Sequence, residues 1–359
     1  VTGPERGPST RAVHAGLATA ADGQPFLPGP TFAAAYHLAG PVDASPYGYG
    51  RYTNPTWTGL ETALAELEGA RETVAFASGM AAVTAVVVPA LAPGDVFVAP
   101  SDAYPGIRQL AREVLEPRGI EVRLVPTDDA AVVEAAAGAS MVWVETPSNP
   151  GLDVLDLAAV ADATRRAGAT LVVDNTLAGP LRQRPLELGA HVSVTSASKH
   201  LTGHSDLVLG CVAVDDPDRA AALRAWRTMT GAIPGPFEAW LAHRSLATVA
   251  VRLDRQEANA RALVDALRAR DDVTGVRWPA LGSVVCFDVG SQTRAERFLA
   301  ACELVAEATS FGGVHSSAER RGRWGNDSVS EGLVRFSAGI EDAGDLLADV
   351  LRALDVSRS

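Results

Sequence analysis

Short apolar runs recur at a regular beat through the middle of this 359-residue chain, at Thr73–Ala77, Val96–Ala99, Val122–Val125, Met141–Val144, Leu171–Val173 and Val192–Thr195. Between most of them lie stretches rich in Ala, Leu and Arg with helical periodicity, such as Ile107–Leu115 and Leu157–Ala167. A run that is apolar throughout asks to be buried on both faces. Strands alternating with helices satisfy this by forming a mostly parallel sheet with helices on either side. The pattern changes near Pro217. After a break at Ile233-Pro-Gly-Pro236 a long helical stretch, Ala250–Arg270, is followed by Val284–Val289, Arg294–Cys302, Leu304–Ala308, Leu333–Ser337 and Ala343–Leu354, which predict a smaller α/β domain. Residues 1–50, rich in Gly, Pro and Ala, read as an extended arm. The expected organisation is therefore an arm over 1–50, a large ligand-binding domain over 51–232 and a C-terminal domain over 233–359.

A net charge of −12 argues against nucleic acid or an anionic membrane as partner, since either needs a basic face. Val1 to Gln24 mixes charges, Gly and Pro without the apolar segment of a signal peptide, and the apolar stretch from Met80 to Pro93 is too short and interrupted to span a bilayer. Cys211, Cys286 and Cys302 are odd in number, sit in apolar runs and lack metal-ligand or disulfide spacing. A soluble enzyme of a reducing, cytoplasmic compartment is expected.

Ligands of open parallel sheets collect at the carboxyl ends of the strands, and several polar motifs fall there. Lys199, in Ser196-Ala-Ser-Lys-His200, is the only lysine; the other thirty basic Lys/Arg positions are arginine. Arginine supplies charge but makes a poor imine, whereas a lysine amine can lose its proton and attack a carbonyl. Ser78-Gly79-Met80 opens an apolar helix after a strand, as a phosphate seat does. Asn149 lies in the Glu145–Pro150 loop, where two prolines restrict the backbone and its amide could face a ligand. Asp174 ends a strand, and a cationic ring nitrogen would partner its carboxylate. Singly, these are an ordinary junction, turn and cap. Together with the Ser196 and Ser198 hydroxyls they describe one ligand with a phosphate, a ring nitrogen and an aldehyde: pyridoxal 5′-phosphate. Walker A, dinucleotide-glycine, His-Glu-x-x-His and Gly-x-Ser-x-Gly patterns are absent from the sequence. His200 and His204, without partners at ligand spacing, read as structural.

From Ser9-Thr-Arg-Ala-Val-His-Ala-Gly16 to Arg335-Phe-Ser-Ala-Gly-Ile-Glu-Asp342 the chain resembles the Cys/Met-metabolism family of pyridoxal-phosphate (PLP) enzymes, most specifically at the lysine motif with Gly203-His-Ser-Asp206 and at Tyr49-Gly-Arg-Tyr-Thr-Asn-Pro-Thr56. The resemblance implies an α/β fold of type I (aminotransferase-like), with a large domain and a smaller C-terminal one, and a homotetramer of two active dimers. It implies that Lys199 is the Schiff-base lysine and proton carrier, that Asp174 holds the ring nitrogen, and that Tyr104 stacks on the ring and protonates a departing thiol. Asn149 would lie near the ring hydroxyl, and Gly79, Met80, Ser196 and Ser198 would hold the phosphate. Tyr49 and Arg51 would reach the neighbouring subunit's phosphate. Arg335 would take the substrate α-carboxylate, with Ser310, Tyr49 and Asn149 also lining the substrate.

The activity implied is γ-elimination of a thiol from a sulfur amino acid such as L-methionine or L-cystathionine, giving a 2-oxo acid and ammonia. The alternatives are γ-replacement of the cystathionine γ-synthase type and, remotely, a non-catalytic PLP-binding protein. Departures from the family bear on the substrate. Gly48 and Thr309 stand where cystathionine enzymes carry acids, His315 replaces another acid, residues 316–324 diverge, and a stretch between Trp278 and Ser283 is largely missing. Gly106 stands where a methionine γ-lyase carries cysteine.

Overall fold

The apolar runs become strands of one sheet: β1 (Glu72–Phe76), β2 (Val96–Pro100), β3 (Glu121–Val125), β4 (Met141–Glu145), β5 (Thr170–Asp174) and β6 (Val192–Thr195). The structure is a computed structural model that describes residues 6–17, 19–41, 44–325 and 327–358, and all counts refer to those residues. A seventh strand, β7 (Gly210–Val214), completes the order β1-β7-β6-β5-β4-β2-β3. β7 runs antiparallel to both of its neighbours, and the remaining pairs are parallel. The carboxyl ends of β1, β2, β4, β5 and β6 therefore lie along one edge.

Helices cover both faces, which is why β2, β4 and β7 are buried along their whole length. On one face α3 (Gly79–Val87), α4 (Pro105–Leu110) and α7 (Pro217–Thr230) close over Phe76, Phe97, Trp143 and Val172. On the other, α5 (Asp129–Ala135) and α6 (Leu157–Ala167) meet Val98, Val142 and Leu171. The period-2 alternation along β2, β4 and β5 divides the two clusters. Trp143 is wholly buried, and truncating such a side chain to Ala costs about 3–5 kcal/mol. A third cluster joins α1 (Pro8–His14), α2 (Pro55–Glu68), α8 (Pro236–Leu246) and α9 (Val249–Arg268). α2 starts where Asn54 accepts from the Thr56 amide at 2.9 Å, with Pro55 preset for the first turn.

The single helix expected over Ile107–Leu115 is α4 followed by a widened π turn over Ala111–Leu115 and a 3-10 turn over Glu116–Arg118. The C-terminal part forms a second sheet of order β10-β11-β12-β9-β8 from β8 (Thr274–Arg277), β9 (Val284–Asp288), β10 (Ala306–Glu307), β11 (Ser317–Arg320) and β12 (Leu333–Ser337). Together α9, α10 (Gln292–Ala301) and α11 (Ala343–Val356) bury Phe287, Phe298, Phe336 and Leu354 against it. Among the described residues no helix is long and apolar enough to cross a membrane.

Candidate active site

The strand ends gather most of the anticipated residues. At the start of α3 the Ser78 hydroxyl accepts from the Ala81 amide at 3.0 Å, while the Gly79 and Met80 amides have no acceptor within the helix. A Cβ on Gly79 would come within 3.0 Å of the Ser196 side chain, so glycine is what lets the two loops close into a cradle. The Ser196 amide donates to the Thr176 hydroxyl at 2.8 Å. The Ser198 hydroxyl donates to the Leu209 carbonyl at 3.1 Å and accepts from the Leu209 amide at 2.9 Å.

Asp174, partly exposed at the end of β5, accepts from the Thr176 amide at 2.9 Å. Burial raises its pKa, opposed by the hydrogen bonds from Thr176 and by Lys199. Such a carboxylate gains from any cation placed beside it. Opposite it in the β4–β5 register is Glu145, whose pKa is pushed well up by burial and by the Asp174 charge. Glu145 accepts from the backbone amide of Tyr104 at 2.7 Å and thereby fixes the start of α4. Gly106 lies under the same ring. A Cβ there would approach the Tyr104 ring and the Met80 sulfur to 2.7 Å.

The Lys199 amine donates to the Ser310 hydroxyl at 2.7 Å. Burial, then the nearby charge of Arg335, lower its pKa. Ser310 has a φ of +78°, a left-handed conformation uncommon for serine and found where a loop is held for function. Phe311, next to it, has its ring centroid 5.3 Å from both the Lys199 amine and the Arg335 guanidinium. Arg335 is 4% exposed. Its Nη1 donates to Asn149 Oδ1 at 2.8 Å, and its Nη2 donates to the Ser310 carbonyl at 3.1 Å and to Glu319 Oε1 at 2.5 Å. Glu319 was not anticipated. Its signal is register: it sits directly across from Arg335 on β11.

Tyr49 and Arg51 stay apart from this cluster. Arg51 donates to the Thr228 carbonyl at 2.7 Å and lies 5.0 Å from the Tyr52 ring centroid and 5.6 Å from that of Tyr49. No hydrogen bond joins either residue to Lys199, Asp174 or Arg335 among the described residues. His200 is buried, pairs with the Ser283 hydroxyl at 2.8 Å and has its pKa lowered to about 4 by burial, so its ring is neutral. His204 pairs with the Thr202 carbonyl at 2.6 Å.

This donor set fits pyridoxal 5′-phosphate. A lone lysine of lowered pKa suits the aldehyde, the strand-end carboxylate of Asp174 the ring nitrogen, and free helix-start amides beside Ser196 the phosphate. Sheet and site together define a PLP-dependent enzyme of fold type I, with a large, mostly parallel sheet and a smaller second one. The family model for Cys/Met metabolism PLP-dependent enzymes matches residues 9–355, and the chain belongs to that family. A putative cystathionine gamma-lyase of Streptomyces coelicolor is 52% identical, covering 99% of this chain and 96% of that protein. The metB structure from Corynebacterium glutamicum superposes with a TM-score of 0.93 at 36% identity, covering 98% of each chain. CalE6 of Micromonospora echinospora, described as a methionine gamma lyase, superposes with a TM-score of 0.89 at 37% identity, covering 96% of this chain and 98% of that one.

Proposed function

We propose that the chain is a PLP-dependent carbon–sulfur lyase that eliminates a thiol from Cγ of a sulfur amino acid, with release of a 2-oxo acid and ammonia. The observation that carries this reading is the meeting of Lys199, Ser310 and Arg335 at one point, where a buried guanidinium can take the carboxylate of an α-amino acid with a basic amine beside its Cα. The cofactor, when bound, supplies an electron sink for the substrate's Cα. Arg335, held by Asn149 and the Ser310 carbonyl, receives the α-carboxylate. Lys199, inclined towards the neutral amine, takes the proton from Cα and moves the one at Cβ, while Ser310 keeps that amine aimed. Tyr104, anchored through Glu145, returns a proton to the departing sulfur. Asp174 would meet the ring nitrogen as an anion, and Gly79, Met80 and Ser196 would hold the phosphate, with Ser198 bracing the lysine loop through Leu209. A cytoplasmic homotetramer, with Tyr49 and Arg51 completing a neighbour's site, is part of the same reading.

Release of 2-oxo acid and thiol from methionine, cystathionine, homocysteine and cysteine tests the reaction. Absence of release, with cystathionine formed from an O-acylhomoserine and cysteine, would make the enzyme a replacement catalyst instead. Substrate choice follows from charge. Thr309 is exposed and neutral, and Gly48 carries no side chain. Glu319, in the divergent segment, and Asp327, just after it, are already paired with arginines. None of these four described positions offers an unpaired acid to a distal ammonium, and methionine is expected to be cleaved at least as well as cystathionine. Thr309→Glu should raise the cystathionine-to-methionine ratio of kcat/KM about fivefold, as an exposed ion pair worth about 1 kcal/mol would. If the wild type prefers cystathionine strongly and the substitution leaves the ratio unchanged, the charge argument fails.

A further inference from the structure

Arg335 ends a row of alternating charges. Beyond it stands Glu319, which also accepts from Arg321 at 2.9 Å and from the Trp324 indole at 3.0 Å. Arg321 in turn meets Asp327, and Asp327 accepts from Arg108 of α4 at 2.8 Å. Of these side chains, those of Glu319 and Asp327 are 1% and 3% exposed, and that of Arg321 is 6% exposed. The row runs from β12 through β11 and the 3-10 turn Arg321–Trp324 to α4, one turn beyond Tyr104. An isolated Arg335–Glu319 pair would be neutral and would set a carboxylate close to the incoming one. Sharing Glu319 with Arg321 changes that balance: three arginines face two carboxylates, and the excess positive charge is available at the Arg335 end.

We propose that Arg321 is a positioning residue for the substrate-carboxylate subsite: by engaging Glu319 from behind it frees the charge of Arg335 for the substrate and holds the guanidinium in place. This rests on the reading of Arg335 as the carboxylate-binding residue. It makes affinity for an α-carboxylate depend on a side chain placed behind Glu319.

The test uses the holoenzyme and two unreactive ligands, L-norvaline and n-butylamine, which differ only by the carboxylate. Binding is followed through the visible absorption of the bound cofactor, together with KM and kcat for methionine. Arg321→Met leaves two arginines facing two carboxylates. It should weaken norvaline about tenfold and raise KM to match, with butylamine affinity unchanged and kcat within about twofold. Adding Glu319→Gln restores one excess positive charge and should return norvaline affinity to within about threefold of wild type. If Arg321→Met does not retain cofactor, Asp327→Asn provides the opposite sign: one fewer carboxylate should tighten norvaline and leave butylamine alone. The proposal is overturned if the variant that loads binds norvaline as the wild type does, if it weakens both ligands equally, or if the double variant is no better than Arg321→Met. Arg335→Ala separates the two levels. Should it fail to distinguish norvaline from butylamine, the reading of Arg335 itself is wrong; should it distinguish them while the Arg321 and Asp327 variants do not, only the role of Arg321 falls.

Discussion

A lysine amine attacks an aldehyde only while it is unprotonated, so the setting of Lys199 matters as much as its identity. Burial and the Arg335 charge both disfavour the ammonium form, and the folded pKa lies below that of a free lysine. Reactive amine is therefore present at a lower pH than in a flexible peptide. For the same reason protonation of Lys199 opposes folding, and its share of stability improves as pH rises through the lowered folded pKa towards the unfolded value. Because the chain has one lysine, borohydride reduction of the holoenzyme should attach the cofactor at Lys199 and at no other side chain. Lys199→Arg keeps the charge and should remove turnover by more than about a thousandfold, since a guanidinium can neither form the imine nor shuttle the proton. Activity within tenfold of wild type would refute the assignment. Arg335→Leu should shift the acid limb of cofactor reloading into apo-protein to higher pH, because Glu319 and Asp174, which favour the ammonium, would remain while the opposing guanidinium is gone. A limb that stays in place or moves to lower pH would show that Arg335 does not govern this amine.

Elements differ in how plainly the sequence announces them. β1 to β6 are apolar runs, mostly separated by helices, and so could be read from hydropathy. β7 is as apolar, within Leu207–Val214, but it returns antiparallel to β6 through the Lys199 loop, with no crossover helix to mark it as the next strand of the same sheet. β11 was also hidden, since Ser317-Ala-Glu-Arg320 has one apolar residue and its buried charges pair only once the register with β12 is known. The same holds for the site. Lys199 and Asp174 could be proposed from their positions after strands, whereas Arg335 was suggested only by the family resemblance and Glu319 by nothing local. Gly106 in α4 shows what an element tolerates. A cysteine there would place its Cβ 2.7 Å from both the Tyr104 ring and the Met80 sulfur, so one of them must move. Gly106→Cys should therefore lower kcat/KM for methionine about tenfold, a displaced catalytic ring costing more than a changed surface. A variant as fast as wild type would mean that α4 yields without disturbing the ring.

The whole molecule leaves part of the machinery proposed for its site, Tyr49 and Arg51, away from its own lysine. Arg51 is engaged by α7 and the Tyr52 ring, and large aromatic side chains stand exposed along the arm: Phe26 at 93%, Phe32 at 72% and Tyr49 at 42%. Isolated apolar residues on a surface need no explanation, but three aromatics within one irregular segment suit burial against a second copy. In that arrangement the cofactor site takes Lys199 from one subunit and Arg51 from its neighbour. Arg51→Ala should then release cofactor more readily while its melting temperature as apo-protein stays near that of the wild type. Lys199→Ala should be inactive by itself. A hybrid of these two variants contains one site with both mutations and one with neither. Random exchange between equal amounts makes half of the dimers hybrid, so about a quarter of wild-type activity should return. If both lesions instead lie in one subunit's own site, every site in the mixture carries one of them, and activity stays at the level of the parents. Activity measured before and after exchange, with hybrid formation checked by a mass-tagged subunit, decides between a shared and a self-contained site.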